Sequence, residues 1–457
     1  MKGALHSRFL KGIGANVLGQ LVTTITQVVG IPLFLHFWGK ELFGEWLVLF
    51  AVPLVLATSS VALSSAGGSE MTMLISQGRR REALEIFQSV WALVLSVSIV
   101  IIILLPVLLE LSWSEYVKGW FHLRLLSSAE ISLILITFTV YILLGLHVGL
   151  FEAGFRCEGN YALGVYCDNL VRLFEWTLLF LAVALNATPA GAAVALVSGR
   201  LVGTVMVRMV LRSKSPWIVY GLKEAKYSTI KRLAIPTGGS MGFVFGETIS
   251  IQGMVLAVGA GLGPAAVAIF STYRTISRLA VQANMVIWRA AWPEMSFAYG
   301  AGDVSLAREL YYRVAYLALW AALAVVVFLA ISGDWIISLW TNDKIRVDNM
   351  LLYSMLGVAI ADSLWQTSRA VLASANRHTR TAILYVSVMA AAILLSYVLM
   401  SLFGRVEYAA LGLLIANLAM FPYTTREALT MVQGRFFTYI LRLLLPPMVL
   451  SRGKGRR

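Results

Sequence analysis

Residues 382 to 403 read AILYVSVMAAAILLSYVLMSLF, 22 consecutive positions without a charged side chain. The hydrocarbon core of a bilayer is about 30 Å thick, and roughly 20 apolar residues of helix cross it. No water reaches that layer to satisfy a lone peptide group, so such a segment must be helical. Trp91–Leu109, Ile131–Phe151 and Ala315–Ser332 have the same charge-free character.

Around these runs the whole chain of 457 residues is 59% apolar and 13% charged, where soluble domains carry about 25% charged residues. The pattern predicts an all-α integral membrane protein of about twelve spans, near 12–37, 42–67, 87–110, 129–152, 162–185, 190–212, 233–259, 264–291, 311–333, 348–374, 381–403 and 407–432. Met1–Lys11 is basic, but the apolar segment after it is too long for a signal peptide and lacks a small-residue cleavage site. It is read as the first span. After the twelfth span, Phe436–Leu450 is apolar but short and contains Pro446 and Pro447, which predicts an interfacial or docked helix ahead of a basic tail, Arg452–Arg457.

Lysine and arginine set the expected orientation. With the N-terminus inside, the cytoplasmic segments hold 26 of them, including Arg79, Arg80 and Arg81. The external loops hold six: Lys40, Lys118, Arg124, Lys344, Arg346 and Arg405. Both termini are therefore expected in the cytoplasm. Topology and contact with anionic lipid account for most of the net charge of +14, and nucleic acid is not an expected partner. Trp38, Trp113, Trp120, Trp335 and Trp340 fall where interfacial aromatics sit. Cys157 and Cys167 lie near a cytoplasmic edge, a reducing compartment in which a structural disulfide is not expected.

The chain also repeats itself. Glu70-Met71, Gly78, Ala83 and Glu85 recur as Glu294-Met295, Gly302, Ala307 and Glu309, each 224 residues later. The same offset relates Gly14 to Gly238 and Gly39 to Gly263. An even number of helices per half gives two parallel six-helix halves, related by a pseudo-two-fold axis along the membrane normal, a known transporter design. The expected division is an N-terminal bundle (1–212), a linker (213–232), a C-terminal bundle (233–433) and the tail segment (434–457).

Polar positions inside the spans carry the candidate chemistry. Asn16, Gln20, Thr23, Thr24 and Gln27 recur at three- and four-residue intervals and so share a helix face. Ser59, Ser60, Ser64 and Ser65 cluster in the second span, and the seventh holds Pro236-Thr237-Gly238-Gly239-Ser240 and Glu247. Small residues and hydroxyls also serve helix packing; for Gln20, Gln27 and Glu247 the favoured role is cavity lining. Charges within spans mark function by default: Arg172, Arg200, Arg274, Arg278 and Arg369, with Asp168, Glu175, Glu247 and Asp362.

At 1.5 Å per residue, Glu247 lies roughly 20 Å from one end of its span, and Arg274 and Arg200 about 15 Å from theirs, so all three converge on the midplane. Arg274 and Arg278 are one turn apart. Asp168, Arg172 and Glu175 are spaced i, i+4 and i+7, which predicts a helix-locking ion-pair group as much as a site. Guanidinium groups match phosphate as a fork and stay charged when buried. The candidate substrate-binding set is Arg172, Arg200, Arg274, Arg278, Arg369, Gln20 and Gln27, with Glu247 and Asp362 as candidate coupling carboxylates. No phosphate-binding GxxxxGK[ST] loop, HExxH or Cys/His cluster occurs, and the longest external loop has about twenty residues. No enzyme, catalytic residue, metal or cofactor is expected.

Asn16-x-x-Gly19-Gln20, Pro32-Leu33-Phe34-Leu35, Trp38-Gly39-Lys40-Glu41-Leu42-Phe43-Gly44-Glu45-Trp46, Glu70-Met71 with Gly78, and Phe87-Gln88-Ser89 resemble the bacterial polysaccharide and O-antigen flippases. These belong to a superfamily with the multidrug and toxin extruders and the lipid II flippases. The resemblance implies carriage of an undecaprenyl-diphosphate-linked oligosaccharide from the cytoplasmic to the periplasmic leaflet by alternating access. It also implies cationic cavity residues on the diphosphate, a proton or sodium gradient as drive, and glycan polymerase machinery as a neighbour. Two other readings stay open. A multidrug or cation antiporter on this scaffold would want an acidic or aromatic cavity, whereas arginines outnumber acids five to four among the charges named above. A membrane-embedded glycan-assembly enzyme would want a catalytic external loop; a non-transporting scaffold would leave the midplane arginines unexplained.

Overall fold

A computed structural model describes residues 2–110, 113–374 and 378–444, and the described residues form helices and loops without a strand. The helices are α1 (Lys2–Ser76), α2 (Arg80–Glu110), α3 (Trp113–Trp120), α4 (Ser128–Cys157), α5 (Tyr161–Ala184), α6 (Pro189–Lys214), α7 (Tyr227–Thr248), α8 (Met254–Leu262), α9 (Pro264–Gly300), α10 (Val304–Thr341), α11 (Asn349–Ser374), α12 (Thr379–Phe403), α13 (Glu407–Met431) and α14 (Phe436–Leu444). A π-helical turn, Ile249–Gly253, joins α7 to α8.

The first two expected spans are the two arms of α1. The backbone leaves the helical region at Gly39, where φ is 72° and ψ 175°. Glycine reaches that region without the Cβ clash that bars other residues. Phe34 before the break stacks on Phe43 after it, with ring centroids 5.1 Å apart, and Trp38 meets Trp46 at 5.2 Å, so aromatic packing holds the bend.

The 224-residue repeat is written in the backbone as well. Gly263, between α8 and α9, has φ 83° and ψ 178°, the conformation of Gly39. Gly78 and Gly302 match at φ 76° and 73°. The next helices, α2 and α10, begin at Arg80 and Val304, also 224 apart. The offset then shrinks: α6 and α13 begin at Pro189 and Glu407, 218 apart, because the helices and the connections between them differ in length.

Among the described residues, eight segments are long and apolar enough to cross a membrane: Gly14–Val55, Arg80–Leu104, Ser128–Cys157, Pro189–Lys214, Gly242–Leu262, Val304–Thr341, Thr379–Phe403 and Glu407–Met431. The first takes in part of each arm of α1. The other helices at expected spans, α5, α9 and α11, are the ones that carry Asp168, Arg172, Glu175, Arg274, Arg278, Asp362 and Arg369. Charge lowers their hydropathy and concentrates the candidate chemistry in them. The chain is a multi-pass membrane protein.

By packing, the chain divides into Met1–Ile269 and Phe270–Arg457. In the first unit α1 packs on α2, α4, α5 and α7, and α6 on α4 and α5. Its core gathers Met71, Phe87, Phe155 and Leu211. In the second unit α11 packs on α10 and α13, and α12 on α13. Its core gathers Trp288, Tyr311, Tyr312 and Val371, and takes in Tyr439 and Leu443 of α14, so Phe436–Leu444 is a docked helix, while 445–450 of the same apolar segment lie outside the described residues.

The segment that follows α6 is clamped to α2, and the segment that follows α13 is clamped to α10 in the corresponding way. Glu85 of α2 accepts from Lys226 Nζ at 2.6 Å and Thr229 Oγ1 at 2.7 Å, while Tyr220 meets Phe87 edge-on at 5.3 Å. Glu309 of α10, the repeat partner of Glu85, pairs with Arg442 of α14 at 2.8 Å. Tyr439 stacks on Tyr311, the repeat partner of Phe87, at 4.9 Å.

Candidate functional site

In the first unit, the polar face of α1 meets the charged face of α5. Arg172 donates from Nη1 to Thr23 Oγ1 at 2.9 Å and from Nη2 to Asp168 Oδ2 at 3.2 Å. Asn169 donates to the Ala15 carbonyl at 3.1 Å, and Asn16 lies within 3.3 Å of the Tyr161 hydroxyl. Gln20 is half-buried and Gln27 exposed on the same arm. Glu152, at the end of α4, is close enough to Asp168 and Arg172 to interact electrostatically with both.

Glu175 does not join Asp168 and Arg172 in one group. It faces α6, where Arg200 Nε lies 2.6 Å from its Oε2 and Arg200 Nη2 donates to Oε1 at 2.8 Å. Tyr141 of α4 donates to the same Oε1 at 2.8 Å and accepts from Arg200 Nη2 at 2.7 Å. A Cβ on Gly199 would lie 2.6 Å from the Glu175 Cα, and one on Gly203 would lie 2.4 Å from Val171 Cγ1. These two small residues let α6 approach α5 closely, as such pairs do in membranes, and so deliver Arg200 to Glu175. Burying a charge in lipid is tolerable when an opposite charge and hydrogen bonds meet it. Arg200, a candidate for binding substrate, is engaged here in joining α4, α5 and α6.

Glu247 sits exposed on α7 in the same unit. The side chains of Ser59, Ser60, Ser64, Ser65 and of the 236–240 stretch lie outside the described residues, as does the basic end 452–457.

In the second unit, Arg274 and Arg278 are half-buried one turn apart on α9, with the Arg274 guanidinium 5.3 Å from the Phe270 ring centre. On α11, Gln366 donates to Asp362 Oδ1 at 3.0 Å. Arg369 lies near two indoles, 5.8 Å from the Trp288 ring and 5.9 Å from that of Trp365. Aromatic faces stabilise a guanidinium away from water. Trp365 is itself fixed by donating to Asn417 Oδ1 at 2.9 Å. Among the described residues no group of three or more His, Cys, Asp or Glu side chains could hold a metal ion.

Sequence reasoning missed Tyr141, Glu152 and Trp288 as partners of the charges, because each comes from another helix; it also missed Trp365, although that residue is one turn from Arg369 on the same helix. It also missed Glu45, whose buried carboxylate accepts from the backbone amides of Arg124, Leu125 and Leu126 at 2.6, 2.8 and 3.0 Å. A carboxylate holding three amides fixes the approach to α4. The one signal for it was its place in the Trp38–Trp46 motif.

No family model matches the sequence, and no curated protein does. Solved structures do match. The chain is similar to an inward-facing multidrug resistance MATE family transporter of the MOP superfamily, with a TM-score of 0.75 at 14% identity, over 92% of this chain and 98% of that one. It is similar to the MATE multidrug transporter DinF-BH, with a TM-score of 0.69 at 18% identity and 96% of each chain covered. A mutant of the Vibrio cholerae MATE transporter VcmN gives 0.65 at 15% identity, over 96% of this chain and 99% of that one. At these identities the likeness establishes architecture: the chain has the all-helical, two-lobe membrane fold of these transporters along almost its whole length.

Proposed function

We propose that this protein is a transporter that works by alternating access and carries an undecaprenyl-diphosphate-linked oligosaccharide repeat unit from the cytoplasmic to the periplasmic leaflet of a bacterial inner membrane. The observation that supports transport is the near-complete likeness to transporter structures. Support for a diphosphate-linked substrate comes from Arg274, Arg278 and Arg369, membrane-level guanidiniums on α9 and α11. Guanidinium groups suit a diphosphate and acidic sugars. Arg172 extends the set, while Arg200 would first have to leave Glu175. Glu247 and Asp362 are the proposed coupling carboxylates for a proton or sodium ion, with both termini in the cytoplasm and glycan polymerase machinery as a neighbour.

Deletion in a glycan-producing bacterium, followed by extraction of lipid-linked oligosaccharides, tests this reading. The expected result is complete repeat units accumulating on undecaprenyl diphosphate and loss of surface glycan. Unchanged surface glycan in a strain with no second flippase overturns it. The second reading, extrusion of drugs or cations, is favoured by the structural neighbours, which are multidrug transporters. It predicts resistance to cationic dyes on overexpression.

A further inference from the structure

α14 has two unlike faces. Tyr439 and Leu443, one turn apart, are 1% and 4% exposed and packed into the second unit. Phe437, Leu441 and Leu444 run along the opposite side at i, i+4 and i+7 and are 74%, 52% and 69% exposed. Arginines frame this stripe. Arg308 donates to the Gln433 carbonyl at 3.1 Å, and Arg426 lies 5.7 Å from the Phe436 ring. Arg442 and Arg313 share Glu309 at 2.8 and 2.7 Å, and Arg435 is exposed at the start of the helix. Five cations thus surround α14, and Glu309 is shared between two of them.

Position decides what such a surface meets. α13 is a membrane-crossing segment that ends at Met431, and four residues separate it from α14. Four residues reach about 14 Å at most, so α14 stays within the interfacial layer that α13 enters on leaving the hydrocarbon. An apolar stripe flanked by arginine is the pattern of a helix lying in that layer, and guanidinium forks match phosphate oxygens.

We propose that α14 and its surrounding arginines form a docking surface for anionic phospholipid of the leaflet at which α13 ends. Phe437, Leu441 and Leu444 enter the acyl boundary, and Arg435 and Arg426 hold headgroup phosphates. The ion pair of Arg442 with Glu309 and the stacking of Tyr439 on Tyr311 fasten this lipid-bound helix to the end of α10.

The test uses the full-length protein with Phe437→p-benzoylphenylalanine, reconstituted in phosphatidylcholine vesicles with or without phosphatidylglycerol, irradiated and analysed for adducts by mass spectrometry. Lipid adducts enriched in phosphatidylglycerol above its share of the bilayer are expected. Arg435→Gln should lower that enrichment by about fivefold, the effect of one surface arginine. Placing the photoreactive group at Leu441 provides an independent reading if the Phe437 position is poorly tolerated. Adducts to another protein or to a second copy of this chain in place of lipid overturn the proposal. So does an enrichment that neither Arg435→Gln nor Arg426→Gln changes. Transport does not enter the measurement, so its outcome is independent of the substrate carried.

Discussion

Arg200 Nε of α6 lies 2.6 Å from Glu175 Oε2 of α5, and the Glu175 side chain is fully buried. Tyr141 of α4 closes the group by donating to the same carboxylate. Three helices therefore converge on one acid within the first unit.

Losing either partner alone leaves a buried charge without its counterion, which costs about 3–5 kcal/mol. Glu175→Leu and Arg200→Leu should each lower the melting temperature of the detergent-purified protein sharply. The double variant should recover most of the loss, because two apolar side chains of similar volume leave no charge unmet. A double variant less stable than both singles would show that the pair acts through something other than charge compensation.

Gly39 and Gly263 hold the same positive-φ backbone 224 residues apart. Alanine at either position meets the cost of a positive-φ, extended-ψ backbone that glycine alone adopts freely, about 1–3 kcal/mol, and the two costs should be similar and additive. By contrast, a Cβ on Gly145 within α4 meets nothing within 4 Å, so Gly145→Ala should be neutral or stabilising by up to about 1 kcal/mol. Thermal unfolding of the three variants compares them directly; a destabilising Gly145→Ala would contradict the packing described for α4.

If the guanidiniums of α9 and α11 engage a diphosphate, each contributes a charge-assisted hydrogen bond worth about 1.5–3 kcal/mol. Arg274→Ala, Arg278→Ala and Arg369→Ala should then each reduce glycan export roughly tenfold or more at unchanged membrane abundance. Quantifying surface glycan beside immunoblots of the membrane fraction separates the two. Full export in all three variants would remove these residues from the substrate path.

At the repeated clamps, magnitudes separate ion pair from aromatic. Arg442 and Glu309 are both partly exposed, and such pairs contribute about 0–1 kcal/mol. Tyr439 is buried against Tyr311, and deleting a buried aromatic costs about 3–5 kcal/mol. Arg442→Gln should shift stability little and Tyr439→Ala a great deal, as followed by limited proteolysis of the C-terminal segment. Equal sensitivity to both changes would mean that the ion pair holds α14.

Amino-acid order alone determined that this chain crosses a membrane repeatedly and is built twice over. Apolar length and backbone satisfaction are local demands, legible in runs such as 382–403. The register of Gly39 with Gly263 survives as a repeated backbone angle because only glycine enters that region cheaply. The ion pair of Asp168 with Arg172 was also legible, since i and i+4 share a helix face. The partner of Glu175 was not. Its spacing suggested membership of the same group, yet the close approach permitted by Gly199 and Gly203 turned it toward Arg200, 25 residues away, and Tyr141, 34 residues away. Of the two indoles near Arg369, Trp365 lies on the same helix at i−4 and was open to the argument that pairs Asp168 with Arg172, whereas Trp288 comes from α9. Periodicity fixes which face a residue occupies on its own helix. Which face of another helix it meets depends on how side-chain volumes fit between them, and only the tertiary structure decides that.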